Sequence, residues 1–170
     1  DSKRVIKDCL KQLGFSDNIL TPKGVLAAIS QAKDMLISPS EYIKENYVDF
    51  RKRNIGSIYE MYQKRLKDAD AMDFDDILLF MNILLRDNPD ICRHYREFFR
   101  FILVDEYQDT NFAQHLIVQR LCELHQHICV VGDDLVIIAD SIDFKQMLHK
   151  LKICFGAFHK NEDFAFTFIH

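Results

Sequence analysis

Acidic side chains follow two apolar segments in the second half of this 170-residue chain. Asp105 and Glu106 come directly after the run Phe-Ile-Leu-Val, and Asp133 and Asp134 come just after Ile-Cys-Val-Val-Gly. If both runs are parallel strands of one sheet, their carboxyl ends meet at the same edge and bring these carboxylates together. Four carboxylates at one edge require a cation, and Mg²⁺ prefers such oxygen ligands. The spacing therefore predicts a metal-assisted site.

An apolar strand that ends in Asp-Glu is typical of nucleoside triphosphatases. In that arrangement the Asp holds Mg²⁺, usually through water, and the Glu orients or deprotonates the water that attacks the γ-phosphate. Asp105 and Glu106 could divide these two roles. An acidic pair can also simply end a strand at solvent, so the dipeptide alone leaves both interpretations open.

The hydrophobic pattern predicts the elements that would position these carboxylates. Residues 101–104 and 128–131 are continuous apolar runs, as in parallel strands buried on both faces. Residues 111–124 between them have helical periodicity. The predicted buried side of that helix consists of Leu116, Ile117, Val118, Leu121 and Leu124. Strand, crossover helix and strand together predict a βαβ unit.

The first 70 residues have helical rather than strand periodicity. Apolar residues recur at helical spacing over residues 3–14, 22–37 and 47–66, and a short helix is expected to open at Pro39. Further along the chain, Asp73 is suited to cap a helix that runs from residue 74 to about residue 86, and another helix is expected over residues 91–99.

The composition is that of a globular chain, with 48% hydrophobic residues, 28% charged residues, 5 Gly and 3 Pro. These values exclude disordered, collagen-like and low-complexity sequence. The longest apolar runs are far shorter than the roughly 20 residues of a membrane helix, and the first residues lack the pattern of a signal peptide. Five cysteines form an odd set without a C-x-x-C pair, so we expect a cytoplasmic protein with reduced thiols.

Charge is distributed unevenly along the chain, whose net charge is −4. Residues 1–70 contain 13 Lys and Arg against 10 Asp and Glu, whereas residues 71–134 contain 5 against 12. A mildly basic first section could face phosphates, and an acidic middle section needs cations or lies at solvent. Neither imbalance is large enough to identify a partner.

Three ordered motifs carry a resemblance to a known family. They are D-E-Y-Q-D-T at residues 105–110, V-V-G-D-D at residues 130–134 and M-D-F-D-D-I-L at residues 72–78. With them the chain resembles the UvrD/Rep-type superfamily 1 DNA helicases over residues 1–134. The helical section before the motifs is similar to the helical subdomain that this family inserts into its first RecA-like domain.

The resemblance implies a division of the chain and a fold class. Residues 1–70 would be the helical inserted subdomain, residues 71–134 part of the RecA-like ATP-binding domain with its Walker B motif, and residues 135–170 a divergent tail. The fold class is then α/β and helix-rich, with a helical subdomain followed by a partial parallel sheet of the P-loop-NTPase type. Within the tail, alternating phenylalanines at residues 164–168 suggest a strand.

The resemblance also implies roles for individual residues. Asp105 would be the Mg²⁺ ligand and Glu106 the catalytic carboxylate. The residues implied to couple the nucleotide state to DNA are Gln108, Asp109, Thr110, Gly132 and Asp133.

The sequence departs from the family in two respects. Val136 stands where the family has a γ-phosphate-sensing Gln, and Ala139 stands where it has an aromatic residue that stacks on a base. Aliphatic side chains can neither hydrogen-bond a phosphate nor stack on a base. In addition, no G-x-x-x-x-G-K-[ST] phosphate loop occurs in the 170 residues, and the family places that loop and the second RecA-like domain outside the region matched here.

The expected function is therefore that of a fragment of an ATP-dependent DNA helicase. The parent would couple ATP hydrolysis to 3′–5′ movement on single-stranded DNA and to unwinding, in repair or replication, with Mg²⁺ and ATP as cofactors. The fragment alone is expected to be inactive, because no phosphate cradle would hold the substrate. Two alternatives are a non-catalytic DNA-binding or interaction module and a Mg²⁺- or Mn²⁺-dependent nuclease. The nuclease would use Asp105, Glu106, Asp109 and Asp133.

Other surfaces are weaker candidates. Exposed sheet edges could allow self-association, and a zinc site at residues 122–129 is a minor alternative to cysteines packed in the core. The candidates for DNA contact are Arg51, Lys52, Arg53, Asp73 and Phe74.

Overall fold

The computed structural model of the chain describes residues 2–15 and 20–132, together with the strand pairing of residues 135–139 and 166–168. By backbone contacts the chain divides into two compact units, Asp1–Met81 (unit 1) and Asn82–His170 (unit 2). The helices are α1 (Ser2–Gln12), α2 (Pro22–Asp34), α3 (Pro39–Glu45), α4 (Phe50–Asp68), α5 (Phe74–Asp87), α6 (Pro89–Phe98) and α7 (Phe112–Cys122). The strands are β1 (Ile102–Val104), β2 (Ile128–Gly132), β3 (Leu135–Ala139) and β4 (Phe166–Phe168).

Unit 1 is helical, and local signals in the sequence set the ends of its helices. Thr21 accepts a hydrogen bond from the Gly24 N–H at the start of α2, and Pro22 occupies the first turn. Ser38 and Glu41 form a reciprocal capping box at the start of α3. The predicted helices of the first 70 residues are therefore confirmed, with small shifts at their ends.

One hydrophobic cluster holds unit 1 together. Tyr59 and Tyr62 of α4 are fully buried in it, as expected for core positions, and Tyr59 donates a hydrogen bond to the Ile37 carbonyl. The other fully or nearly fully buried members are Ile6, Cys9, Leu10, Leu20, Val25, Ile29, Ala32, Ile55 and Ile58. Residues of α1, α2 and α4 thus share a core that water does not reach.

Among these shifts of helix ends, one of the largest is at the start of α4, which begins three residues later than the predicted residue 47. Asp49 caps α4 by accepting a hydrogen bond from the Lys52 N–H, so the helix begins at Phe50. Tyr47 lies before this cap and is 70% exposed, and Phe50 is also exposed. The spacing of Tyr47 and Phe50 matches the apolar face of the helix. Tyr47 nevertheless lies outside the helix, because Asp49 is its N-cap and the helix begins after that residue.

Unit 2 contains a sheet of strand order β1-β2-β3-β4. β1 and β2 are parallel, with Ile102 paired to Ile128 and Val104 to Val130. α7 connects them, so the predicted βαβ unit is confirmed, and with it the helix-rich α/β class. β3 runs antiparallel to β2, and β4 runs parallel to β3 within the expected strand at residues 164–168.

The two faces of β1 differ in burial. Ile102 and Val104 pack with Val118 and Cys122 of α7, so α7 covers one face. Leu103 points to the other face and is 72% exposed. The prediction of a strand buried on both faces is therefore wrong at Leu103, because the described residues of unit 2 place a helix over only one side of it.

The predicted buried side of α7 is also wrong in part. Ala113 and Cys122 are its buried residues, whereas Leu116, Ile117 and Leu121 are only half-buried and Leu124 is exposed beyond the helix end. Val118, which packs against the hydrophobic cluster of unit 2, is itself only partly buried. None of the helices in the described ranges is long and apolar enough to cross a bilayer.

Candidate functional site

The carboxyl end of β1 presents the Asp-Glu pair to solvent. Asp105 Oδ1 accepts a hydrogen bond of 2.9 Å from the Glu106 N–H, and both side chains are exposed. Glu106 has a left-handed backbone, with φ 50° and ψ 42°. A non-glycine residue pays about 1–2 kcal/mol for this conformation, so surrounding contacts must hold it.

Those contacts come from the 3-10 turn over Tyr107–Asp109 that follows. Tyr107 is buried, and its hydroxyl is hydrogen-bonded to His115 Nδ1 of α7 at 2.7 Å. Burial raises the pKa of Tyr107 to about 12, with a smaller effect from Cys122, so the hydroxyl stays protonated near neutral pH. Tyr107 thus anchors the turn that follows Glu106 to α7.

Gln108 connects the Asp-Glu pair to the end of β2. Its Nε2 donates to Glu106 Oε2. Its Oε1 is buried and has no hydrogen-bond partner among the described residues. A Cβ on Gly132 would lie 2.5 Å from that Oε1, so any other residue at this position would have to displace the Gln108 side chain.

The other residues predicted at the carboxyl edge of the sheet either follow Gln108 in the chain or lie outside the described residues. Asp109 is exposed in the turn, and Thr110 leads into the Asn111 cap of α7. Asp133 and Asp134 lie outside the described residues. The structure therefore brings Asp105, Glu106, Gln108 and Gly132 together.

The residues that depart from the family motif lie in β3. Val136 pairs with Val131 and Ala139 pairs with Ile128 in the antiparallel ladder to β2. This part of the sequence therefore continues the sheet of unit 2.

A second polar cluster lies inside unit 1. Lys33 of α2 is 1% exposed, and its ammonium lies 2.7 Å from Asp73 Oδ2 and 2.8 Å from Asp76 Oδ1. Tyr62 donates to Asp73 Oδ2 at 2.8 Å, and Gln63 donates to Asp76 Oδ1 at 2.9 Å. Buried charges of this kind persist only when paired and hydrogen-bonded.

The two aspartates also cap α5. The Asp76 N–H donates to Asp73 Oδ1 and the Asp73 N–H donates to Asp76 Oδ2, which confirms the predicted cap. Burial opposes the ionisation of Asp73. The hydrogen bond and charge of Lys33 and the bond from the Asp76 N–H outweigh it, and hold the pKa of Asp73 below its ordinary value. Both Asp73 oxygens are thus engaged within unit 1.

Sequence reasoning did not predict the burial of Lys33. Its position on α2 could have indicated this burial, because Lys33 lies on the same helix face as Val25, Ile29 and Ala32. A lysine on an apolar helix face needs a carboxylate partner. Asp73 and Asp76 could have been considered as its partners. Local sequence patterns, however, do not indicate which residues pair when they are 40 positions apart, as Lys33 and Asp73 are.

The basic candidates for DNA contact lie at the start of α4. Arg51 and Lys52 are exposed, and Arg53 is half-buried with its guanidinium 5.4 Å from the centre of the Phe50 ring. Phe50 and Tyr47 add two exposed aromatic rings to this end of the helix. Basic and aromatic side chains are thus interleaved on one exposed segment.

The other candidates lie at the start of α5. Phe74 is 88% exposed and forms one wall of an open cleft of about 360 Å³ in unit 1. Lys23 of α2 also lines this cleft and is exposed. Asp73 lines it as well, although its oxygens already serve Lys33 and α5.

The cysteine and histidine group at residues 122–129 shows mainly packing contacts. Cys122 is buried, and burial raises its pKa to about 11, which disfavours the thiolate that zinc requires. The His125 and His127 rings stack with centroids 6.1 Å apart. Across the described residues no group of three or more His, Cys, Asp or Glu is arranged to hold a metal ion.

Comparisons with known proteins agree on one family. A family model described as the UvrD/REP helicase N-terminal domain matches residues 1–138. Over 134 residues the chain is 39% identical to a probable DNA helicase II homolog of Rickettsia felis, covering 79% of this chain and 20% of that protein. It is 37% identical over 133 residues to the ATP-dependent DNA helicase PcrA of Staphylococcus aureus, covering 78% and 18%. The chain thus spans about a fifth of the length of these relatives.

Proposed function

This chain belongs to the UvrD/REP helicase family, and we propose that it supplies the acidic half of an ATP site and a DNA-contacting helical subdomain to an ATP-dependent DNA helicase. The family predicted from the three motifs is confirmed. The observation that carries the proposal is the contact of Gln108 with both Glu106 and Gly132. Through Gln108, the acidic motif and the start of the next motif form one connected site.

The residues present fit Mg²⁺ with ATP. Mg²⁺ keeps most of its water shell and needs only one or two carboxylates, and the exposed Asp105 carboxylate at the end of β1 offers one. Bound Mg²⁺ would neutralise charge on the phosphates. The proposed role of Glu106, whose Oε2 accepts a hydrogen bond from Gln108, is to accept a proton from the attacking water.

The chain by itself is proposed to hydrolyse no ATP. The backbone cradle and lysine of a phosphate loop do not occur in its sequence, so nothing holds the β- and γ-phosphates near Glu106. In the whole helicase, hydrolysis would drive 3′–5′ movement along single-stranded DNA in repair or replication. Residues 1–70 would form the inserted subdomain, residues 71–134 part of the RecA-like domain, and residues 135–170 a divergent tail.

The start of α4 supports the proposed contact with single-stranded DNA. Arg51 and Lys52 can neutralise phosphates, and Phe50 offers an exposed ring on which a base can stack. Phe74, beside the cleft in unit 1, offers a second exposed ring. The same features favour the second candidate, a DNA-binding module without catalysis, because they need no nucleotide.

The nuclease alternative gains no support. It needs several carboxylates around one metal, and no group of three such ligands occurs in the described ranges. Asp133, which it also needs, lies outside them.

Calorimetric titration of Mg²⁺-ATP tests the nucleotide part of the proposal. We expect no binding heat at micromolar ligand and no phosphate release. Micromolar binding that disappears in Asp105→Asn would contradict the proposal that the chain lacks a phosphate cradle.

Fluorescence anisotropy with a labelled oligo-dT strand tests the DNA part. We expect salt-sensitive binding that Lys52→Glu weakens, while Lys64→Glu, an exposed lysine further along α4, changes it less. Each lost phosphate contact should reduce the slope of log K against log salt concentration by about 0.7. Equal effects of the two variants would assign binding to net charge rather than to this segment.

A further inference from the structure

The backbone around Glu106 is held on both sides in its left-handed conformation. Before it, the Glu106 N–H donates to Asp105 Oδ1 at 2.9 Å. After it, the Glu106 carbonyl accepts a hydrogen bond of 2.9 Å from the Asp109 N–H, which closes the 3-10 turn. A left-handed glutamate is less stable than a right-handed one, so Glu106 keeps this conformation only while the turn stays closed.

The closed turn depends on a buried tyrosine. Tyr107 is 6% exposed and belongs to the hydrophobic cluster of unit 2 with Cys122, Ile128 and Val130. At this exposure its hydroxyl has little contact with water. A buried hydroxyl without a hydrogen-bond partner costs free energy, because the bond that water gave it in the unfolded chain is lost. Tyr107 can therefore stay in the cluster only if a neighbouring group accepts its hydrogen bond.

His115 of α7 supplies that acceptor. Its Nδ1 lies 2.7 Å from the Tyr107 oxygen, and the two rings meet edge to face at 69° with their centroids 6.3 Å apart. Among the described residues the Tyr107 hydroxyl has no other hydrogen-bond partner, so it donates to Nδ1. An imidazole accepts at Nδ1 only when its proton is on Nε2. The contact therefore requires one tautomer of a neutral His115.

We propose that His115 is a positioning residue for the candidate catalytic Glu106. By accepting the Tyr107 hydroxyl, it lets Tyr107 remain in the cluster, and Tyr107 directly follows Glu106 in the chain. A fixed Tyr107 keeps the turn closed, and the closed turn holds the Glu106 carboxylate where Gln108 donates to it. This role of His115 rests on the proposed function of Glu106 in the ATP site.

Hydrogen exchange followed by NMR on the full chain, without nucleotide, tests the contact. The reporter is the Asp109 N–H, which exchanges with solvent when the turn opens. His115→Leu removes the acceptor and should speed this exchange about fivefold, as expected for the loss of a single hydrogen bond. His115→Asn should leave the exchange nearly unchanged, because its amide oxygen can accept in place of Nδ1.

Two further variants separate the hydrogen bond from packing. Val118→Ala removes apolar contact from the same helix and the same cluster, so it should change exchange at Asp109 less than His115→Leu does. Tyr107→Phe in the His115→Leu chain removes the buried hydroxyl that lacks a partner, and should return the exchange rate nearly to that of the wild type. The three-bond coupling between the amide and α protons of Glu106, which depends on φ, should change in the same order.

Equal effects of His115→Leu and Val118→Ala would overturn the proposal, because the turn would then open only when unit 2 unfolds. An exchange rate that Tyr107→Phe does not restore would also overturn it, since the effect would then come from other contacts of His115. If His115→Leu does not fold, the double variant must fold by far-UV circular dichroism, or the proposal fails. Nucleotide binding is measured separately by the calorimetric titration, so the proposed ATP site and the role of His115 can fail independently.

Discussion

The described parts of unit 1 and unit 2 differ in their hydrophobic clusters. Among residues 2–15 and 20–132, the cluster of unit 1 contains eleven buried residues and the cluster of unit 2 contains four. In unit 1 even a lysine, Lys33, is removed from water. In unit 2 the strand that leads into the acidic motif leaves Leu103 in solvent.

The difference follows from how each unit is layered. Helices of unit 1 surround a common core, so each apolar stripe meets another. The sheet of unit 2 has two faces, and the described residues cover one of them with α7. Within the described residues, the candidate catalytic residues thus follow a strand with one exposed face, and the internal ion pairs lie inside a helical core. Removing one partner of the buried ion cluster should therefore be costly in unit 1, because it leaves the other charges buried without compensation.

Removing Lys33 should have the largest effect. Lys33→Ala leaves Asp73 and Asp76 buried without a cation, which we expect to cost about 3–5 kcal/mol in the free energy of unfolding. Urea denaturation followed by tyrosine fluorescence, which reports on the buried Tyr59 and Tyr62, measures it. Lys23→Ala, an exposed lysine on the same helix, is the matched control and should change stability by less than about 0.5 kcal/mol. Equal losses of unfolding free energy in Lys33→Ala and Lys23→Ala would show that the buried ion cluster does not distinguish unit 1 from unit 2.

The acid sensitivity of unit 1 should follow from Asp73. Because the pKa of Asp73 is lowered in the folded state, its stabilisation is present above the unfolded value of about 3.9 and is lost as the pH falls through the folded value. Urea midpoints measured from pH 6 to pH 2.5 should therefore fall steeply below about pH 4.

Asp73→Asn provides the control for this pH dependence. It keeps the shape of the side chain and removes its titration, so the variant should start less stable and fall less steeply with acid. A variant curve parallel to that of the wild type would assign the acid sensitivity to other carboxylates.

The local features of the fold could be predicted from the sequence, and the long-range ones could not. Asp73 before a helical run predicts the start of α5, and two apolar runs around a helical segment predict the βαβ unit, because caps and periodicity act within a few residues. The exposure of Leu103 depends on whether a second layer covers the strand, which its own apolar pattern does not encode. The pairing of Lys33 with Asp73 joins residues far apart in the chain and was not predicted.

In the candidate site, too, some features could be predicted from the sequence and others could not. The motif resemblance predicts Asp105, Glu106, Gln108 and Gly132 as members of one site, and their roles stay predictions. Their contact geometry depends on the left-handed backbone of Glu106. That conformation is unusual for a glutamate, so no propensity in the sequence indicates it.

The two units use the same capping device, and removing it should cost similar amounts. Ser38 with Glu41 caps α3 in unit 1, and Asn111 with Gln114 caps α7 in unit 2. Ser38→Ala and Asn111→Ala should each lower the free energy of unfolding by about 1 kcal/mol. Urea denaturation followed by circular dichroism checks both. A cost at Asn111 several times that at Ser38 would show that unit 2 depends more on local hydrogen bonds than unit 1 does.

Changing the contact between Gln108 and Gly132 should have the smallest effect on the free energy of unfolding. It is also the change that lies closest to the candidate site. A Cβ at position 132 meets the buried Gln108 Oε1, so Gly132→Ala must displace a side chain that also holds Glu106. Alanine is otherwise favoured over glycine within a strand. We therefore expect Gly132→Ala to be harmful with Gln108 present and neutral or better with Gln108→Ala, a coupling energy of about 0.5–1 kcal/mol in a double-mutant cycle from urea denaturation. Additive effects would mean that Gln108 does not link the two motifs, and the site would then reduce to an exposed acidic strand end.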